Sequence, residues 1–485
     1  MKKILSPLAA TSLVAALALL LLNLNSGRET VQPQHTDFSL PPELPMILVQ
    51  DSTFCGPVQQ RGYITFKAGV DNIYYRTDTT ARECYLYAEV SAGNYIPAQM
   101  QQRAPLNLSI VIDRSGSMSG EKLANAKRAA KYAVDQLNAQ DFISIVVYDD
   151  EVAVQLASCP ATDKAAMHKA IDSITDKGST NLCGGMMEGY SQCKKTFCNG
   201  CVNKVLLLSD GLANVGIINQ DEITRIVSNN EQQQGILIST FGLGADYNEN
   251  LMTAIAESGN GNYYFIEKSE DIAMLFQKEL EGMLRVVAQN TRIELQVPQG
   301  LTLSKAYGCN YVLDGDKATI SLRDIYANER KGILLKFKID DNFNSNIAFN
   351  VQLHYDDAVS KTSGQQLAHS LGVIPVLNNT IASTGVMRCI KQQIATYISN
   401  EQLEQAMREM DLGNYENGRA MLQSNTVYIS SMADQYGADE ELMRMDSLNR
   451  GYFEESKNIE AMEMEEKKIM QKSSKENNYK ARTKK

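Results

Sequence analysis

Histidine is scarce in this chain: His35, His168, His354 and His369 are scattered over 485 positions. None belongs to an HExxH helix, and neither a G-x-S-x-G nucleophile elbow nor a Walker loop occurs. These absences remove the common signatures of zinc hydrolases, serine hydrolases and P-loop nucleotidases. Positive charge is in deficit, with 47 Lys and Arg against 57 Asp and Glu and a formal net charge of -10. A general nucleic-acid partner is therefore not expected. Beyond the N-terminus no apolar run reaches membrane-spanning length.

The N-terminus itself reads MKKILSPLAATSLVAALALLLLNLNSG, two lysines before an apolar run from Ile4 to about Leu24. That layout marks an export signal. No clear small-x-small cleavage site follows, so residues 1–27 are either a cleaved signal or a retained membrane anchor. Either way the mature chain is expected outside the cytoplasm, in the cell envelope. Residues 28–50, with SLPPELPMILVQ, read as a proline-bearing linker.

The composition, 44% hydrophobic and 21% charged, is that of globular protein. Residues 51–105 hold short strand-like runs such as YITFKAG and ECYLYAEVSAG. From 106 to 284 apolar strands alternate with helical patterns. In EKLANAKRAAKYAVDQLN the apolar residues Leu123, Ala126, Ala130, Ala133 and Leu137 share one face. Continuous apolar strands between helices predict an α/β fold with a doubly wound, mainly parallel sheet covered on both faces. After 285 the period changes to two, as in IAFNVQLHY with Ile347, Phe349, Val351, Leu353 and Tyr355. Residues 285–375 are thus expected to form a β-sandwich with one wet face per sheet, and the strands of 51–105 are candidates to complete it. In that case the α/β unit is an insertion in a β domain. Residues 376–455 read as a helical region. The charged end, 456–485, reads as a solvated helix fraying into a disordered tail.

The chemistry concentrates in IVIDRSGSMSG, residues 110–120. An apolar strand ends in Asp113, and hydroxyls follow at Ser115 and Ser117 around Gly116. Ligands of doubly wound sheets bind outside the carboxyl ends of the strands, where strand order reverses. Asp210, in VLLLSDG, ends another long apolar strand, and the loop KGSTNL carries Thr180 before a helix start. Two carboxylates and three hydroxyls can converge there. An all-oxygen set suits Mg²⁺, Mn²⁺ or Ca²⁺ and disfavours zinc or copper. With so few carboxylates, a coordination position stays open for water or a partner's oxygen. The plainer alternative, helix capping by Asp113-x-Ser-x-Ser, explains one of the three motifs.

The residues D-R-S-G-S-M at 113–118, Thr180 in G-S-T and Asp210 in S-D-G resemble the metal-ion-dependent adhesion site of von Willebrand factor type A domains. SGEKLANAKRAAKYAVDQLNAQDFISIVVYDD and GLGADYNENLMTAIAESGNGNYYFI resemble that family too, in particular its bacterial exported members and the domain of inter-alpha-trypsin inhibitor heavy chains. The likeness covers about residues 106–284. It implies that Asp113, Ser115, Ser117, Thr180 and Asp210 hold a divalent cation, some directly and some through water. It implies that the open position takes an Asp or Glu of a protein partner. It also implies coupling of ligand to movement of the last helix, near residues 269–284. The reading is a cation-dependent protein-binding, adhesion or assembly module of a bacterial envelope. Its membrane contact runs through the N-terminal segment if that is uncleaved. No nucleophile–base pair is visible, so catalysis is not expected. The alternatives are an envelope scaffold with a static metal site and a thiol–disulfide oxidoreductase.

The cysteines motivate that last alternative. There are nine, and an odd count leaves at least one unpaired within the chain. In CGGMMEGYSQCKKTFCNGC, Cys183 and Cys193 are ten helical residues apart, about 15 Å, and cannot pair. Cys193, Cys198 and Cys201 precede the strand NKVLLLSD at one end of the sheet, and the resemblance implies that Cys159 joins them there, through antiparallel pairing of EVAVQLAS with FISIVVYDD. These four could form two disulfides or a Cys₄ zinc site, and export favours disulfides. Cys198-Asn-Gly-Cys201 is also a candidate redox pair. Cys55 and Cys84 are candidates for a further disulfide.

Overall fold

The computed structural model describes residues 47–48, 54–80, 82–97 and 103–482. The leader 1–27 and nearly all of the linker 28–50 lie outside the described residues. Among the described residues no helix is long and apolar enough to cross a membrane.

The chain begins with strands β1 (Ile47–Leu48), β2 (Val58–Arg61), β3 (Ile64–Val70), β4 (Tyr74–Arg76) and β5 (Glu83–Ala92). The α/β region follows, as β6 (Leu106–Asp113), α1 (Glu121–Gln136), β7 (Phe142–Tyr148), β8 (Val152–Pro160), α2 (Lys164–Asp172) and α3 (Leu182–Lys195). It continues with β9 (Val202–Ser209), α4 (Gln220–Gln234), β10 (Leu237–Leu243), α5 (Glu249–Ser258), β11 (Tyr263–Ile266) and α6 (Ile272–Met283). Seven strands come next: β12 (Val286–Gln296), β13 (Leu301–Tyr307), β14 (Val312–Asp314), β15 (Lys317–Tyr326), β16 (Arg330–Ile339), β17 (Ile347–Asp357) and β18 (Thr362–Val376). The helices α7 (Asn379–Thr384), α8 (Arg388–Asp411), α9 (Tyr415–Tyr436), α10 (Glu440–Ser456) and α11 (Met464–Arg482) complete the chain.

The α/β region is organised on a six-stranded sheet in the order β11-β10-β9-β6-β7-β8. Its strands are parallel except β8, which runs antiparallel to β7 at the edge. Every residue of β6, β9 and β10 is buried because helices cover both faces. Leu106, Leu108, Ile110 and Ile112 of β6 join the core made by α1, α2 and α6. Val111 points the other way, into the core under α3, α4 and α5. Between β6 and β9 the order of the strands reverses. Their register sets Ile112 beside Leu208, so Asp113 and the Ser209-Asp210 turn leave the sheet at one level.

The period-two strands form two more six-stranded sheets, β1-β2-β3-β5-β16-β13 and β14-β15-β12-β17-β18-β4, facing each other over one apolar core. Ile347, Phe349, Val351, Leu353 and Tyr355 of β17 all point into it. β5 pairs with β16 from Ser91 opposite Arg330 to Glu83 opposite Lys338. The sandwich is therefore shared by strands before 97 and after 285, and the α/β region is inserted between β5 and β12.

Helix α8 lies on the outer face of β5 and β16 through Ile390, Ile394 and Tyr397 against Tyr87 and Leu334. Its contacts with α9 and α10 contain buried asparagines. Asn425 donates to the Ser399 carbonyl (3.0 Å) and to Asn449 (2.9 Å), and Asn449 donates to the Leu422 carbonyl (2.9 Å). Such buried polar pairs hold one helix register against sliding.

The charged end departs from expectation. Over 464–482 it is a helix, and it is docked. Tyr479 is buried, edge-on to Tyr263 at 5.8 Å, with its hydroxyl donating to the Gly261 carbonyl at 3.1 Å. Glu476 accepts the backbone N–H of Phe265 at 3.2 Å, which satisfies part of the open edge of β11. Buried Tyr479, the Glu476 contact with the edge strand and the pairing of Lys472 and Lys475 with Glu249 turn a polar, basic segment into structure.

Candidate metal centre

Three loops meet above the carboxyl ends of β6 and β9. The first leaves β6 at Asp113, whose buried carboxylate is held from two sides. Oδ1 accepts the Ser115 N–H at 2.9 Å and Oδ2 accepts the Ser209 hydroxyl at 2.8 Å. The first bond closes an Asx turn, which throws Ser115 and Ser117 back over the strand end. Their hydroxyls are 3.1 Å apart, and Ser117 donates to Asp210 Oδ1 at 2.7 Å. The third loop, after β9, thus joins the first through a direct bond.

The second loop carries Thr180. The Gly116 N–H donates to the Gly178 carbonyl at 3.1 Å, tying it to the first loop. Gly178 has φ +72°, a left-handed conformation natural to glycine. On its other side the Thr180 N–H donates to Asn214 Oδ1 at 3.0 Å, and the Thr180 carbonyl accepts from the N–H groups of Asn214 and Val215. A Cβ placed on Gly211 would come within 3.1 Å of the Thr180 hydroxyl. That hydroxyl therefore lies directly against the Asp210-Gly211 turn, in space that glycine leaves open.

All five residues that the sequence singled out are brought together. Asp113, Ser115, Thr180 and Asp210 form a buried floor, and Ser117 is exposed at the opening. Burial pushes the Asp113 carboxyl up to about 6, against the hydrogen bonds from Ser115 and Ser209, and the neighbouring Asp210 carboxylate pushes the same way. Two carboxylates converging in a dry floor is an arrangement that a cation stabilises. Among the described residues no three His, Cys, Asp or Glu side chains gather for a metal, so the hydroxyls are needed to complete an oxygen set here. The donor set fits a hard divalent cation.

Four neighbours escaped the sequence reading. Ser209 orients Asp113, and Asn214 orients Thr180. Arg114 is paired with buried Asp149 at 2.6 Å, which pins the loop from behind. Lys122 donates to Asp210 Oδ2 at 2.6 Å. Only Ser209 had a sequence signal, its place before Asp210 at the strand end.

Residues 107–278 match the sequence profile of the von Willebrand factor type A domain. They form a von Willebrand factor type A domain. The region is similar to the uncharacterized protein YfbK of Escherichia coli, 38% identical over 192 residues, 39% of this chain and 33% of that protein. It is also similar to human inter-alpha-trypsin inhibitor heavy chain H3, 25% identical over 230 residues, 45% of this chain and 25% of that one. These matches span only a third and a quarter of the relatives' lengths. The fold is similar to that of a von Willebrand factor type A protein from Catenulispora acidiphila, with a TM-score of 0.63 and 16% identity over 79% of this chain and 89% of the other. Type A domains are commonly protein-interaction modules and often hold a divalent ion at the position built here.

The cysteines of the type A domain and its neighbours correct two expectations. Cys198 and Cys201 form a disulfide, but Cys159 and Cys193 are free, so the four make neither two disulfides nor a zinc site. Cys193 lies on the sheet-facing side of α3 with its thiol directed at the Asn107 carbonyl, and burial pushes it up to about 12. Cys55 pairs with Cys389 rather than Cys84. Cys84 points into the sandwich core, whereas Tyr85 and Tyr87, one position on either side of Leu86, face α8, where Cys389 sits. Strand alternation puts Cys84 on the wrong face of β5. The Cys198–Cys201 bridge closes a very short loop and constrains little unfolded chain. Cys198→Ser/Cys201→Ser is expected to cost no more than about 2 kcal/mol in chemical denaturation and to leave Mg²⁺ binding unchanged.

Proposed function

We propose that this chain is an extracytoplasmic protein-binding module of the cell envelope, carried on its N-terminal segment if that is retained. Asp113, Ser115, Ser117, Thr180 and Asp210 hold one Mg²⁺, with Mn²⁺ or Ca²⁺ as substitutes. The observation that carries this reading is the Ser117–Asp210 hydrogen bond above buried Asp113. It joins the two strand ends at a point where two carboxylates and the serine hydroxyls meet. A bound cation supplies a positive centre with a position open to an incoming carboxylate. The protein's own part is to hold two carboxylates in a dry floor and to present Ser117 outward.

The partner is a protein that offers an Asp or Glu. Leu212, two residues past Asp210, is 56% exposed, and Ile218 in the same loop is 60% exposed. An acidic residue with an aliphatic neighbour fits such a rim. No step of catalysis is assigned.

The test is calorimetric titration of the protein with Mg²⁺ and Mn²⁺, followed by selection of short displayed peptides in Mg²⁺ and in EDTA. One saturable ion, and enrichment of Asp or Glu only in Mg²⁺, are expected. Peptides that bind equally well in EDTA would sink the cation-dependent reading.

The rival, thiol–disulfide exchange at Cys198–Cys201, draws on the disulfide there. Cys198 lies three residues past the C-terminus of α3, where the negative end of the helix disfavours a thiolate and Lys194 and Lys195 of the last turn favour one.

A further inference from the structure

Asp210 has both oxygens engaged. Oδ1 takes the Ser117 hydroxyl at 2.7 Å, and Oδ2 takes the Lys122 ammonium at 2.6 Å. The Asp210 side chain is 0% exposed, whereas the Lys122 side chain is 38% exposed. One member of the pair is thus fixed and the other reaches the surface. The other cations on these loops are directed elsewhere, Arg114 to Asp149 at 2.6 Å and Lys177 to Glu151 at 3.2 Å. Lys122 is the second residue of α1, so its backbone is anchored by the helix while its four-carbon stem is free to swing.

A divalent ion held by Ser115, Ser117 and Asp210 would share Asp210 with this ammonium. Two like charges on one carboxylate repel strongly where water is excluded. The ammonium has a way out, because the Lys122 side chain is 38% exposed whereas Asp210 is enclosed. Once displaced, it stands at the rim where an acidic partner would approach, and there it finds a new counter-charge.

We infer that Lys122 is a built-in competitor for the cation, which weakens the ion's hold on Asp210 until an acidic group of the partner takes up the released ammonium. Metal and acidic partner then bind with positive coupling, each tightening the other, as linkage requires. This inference rests on the metal-dependent reading above and specifies how that site is regulated.

The test is calorimetric titration with MgCl₂ of the unmutated protein, Lys122→Met and Lys122→Gln. Melting curves in EDTA and in Mg²⁺ accompany it. Both variants are expected to bind Mg²⁺ at least about tenfold more tightly than the unmutated protein. Both should melt lower in EDTA, where Asp210 has lost its counter-charge, and recover in Mg²⁺. Binding seen only in the variants supports the same conclusion. Equal or weaker Mg²⁺ affinity in the variants, with normal binding by the unmutated protein, overturns the competitor role and leaves the metal site standing. No binding by any of the three overturns both.

Discussion

Asp113→Asn is expected to melt several degrees higher than the unmutated protein in EDTA at pH 7, and to bind no Mg²⁺. The two effects have one cause. Burial lifts the Asp113 carboxyl from 3.8 to about 6. A carboxyl whose folded value is raised takes up a proton more readily folded than unfolded. Its contribution to stability is therefore favourable at low pH and is lost as pH rises through about 6. At pH 7 the ionised group is a burden, and the neutral amide removes it, by about 1–3 kcal/mol at roughly 1.4 kcal/mol per unit. The advantage of the variant should close as pH falls towards 4, where the unmutated carboxyl is itself neutral. By the same sign, Mg²⁺ affinity of the unmutated protein should weaken as pH falls through about 6, since the ligand must be ionised. Thermal melts of both proteins across pH 4–8, with EDTA or Mg²⁺, check all of this. An Asp113→Asn protein that melts at or below the unmutated one at pH 7 in EDTA would show that Asp113 is not a strained ligand.

The second large effect lies at α6. Glu279→Ala is expected to cost about 3–5 kcal/mol, because it strands a buried charge. Glu279 and Lys204 are both almost fully buried and 2.6 Å apart. Ser239, Asn262 and Tyr264 also donate to the Glu279 carboxylate, at 2.6, 2.7 and 2.7 Å. Burial pushes this carboxyl up, but the Lys204 ammonium and the hydrogen bonds outweigh it and hold it at about 2. A depressed carboxyl stabilises the fold above its unfolded value and loses that contribution as pH falls through about 2. Lys204 also sits 5.6 Å from the ring centre of Tyr326 on β15, so the pair lies where the α/β region meets the sandwich. Lys204→Met/Glu279→Leu is expected to recover most of the loss, since the pair is then removed whole. Denaturant titration of the two singles and the double measures the coupling. A single-variant cost below about 1 kcal/mol would mean that the pair does not anchor α6. An α6 so anchored moves only by breaking this pair, a cost that partner binding would have to offset.

Much of the centre was legible because it obeys local rules. Asp113 and Asp210 end apolar strands, and strand ends of a doubly wound sheet are where ligands bind. The hydroxyls stand at alternate positions after the first of them. Lys122 was not legible, since a lysine in the first turn of an amphipathic helix reads as a solvated charge, and its partner is 88 residues away. The Cys55–Cys389 bridge joins positions 334 apart in sequence, and nothing local announces it.

By itself the sequence determined the alternation of apolar strands and helices, the change to period two after residue 285 and the oxygen donors at two strand ends. Each of these is a property of neighbours along the chain. Only the tertiary structure decided which cysteines pair, that α11 docks on the edge of β11, and that Lys122 rests on Asp210. In these cases several partners were chemically equivalent, and the packing of distant elements selected one by bringing it within reach.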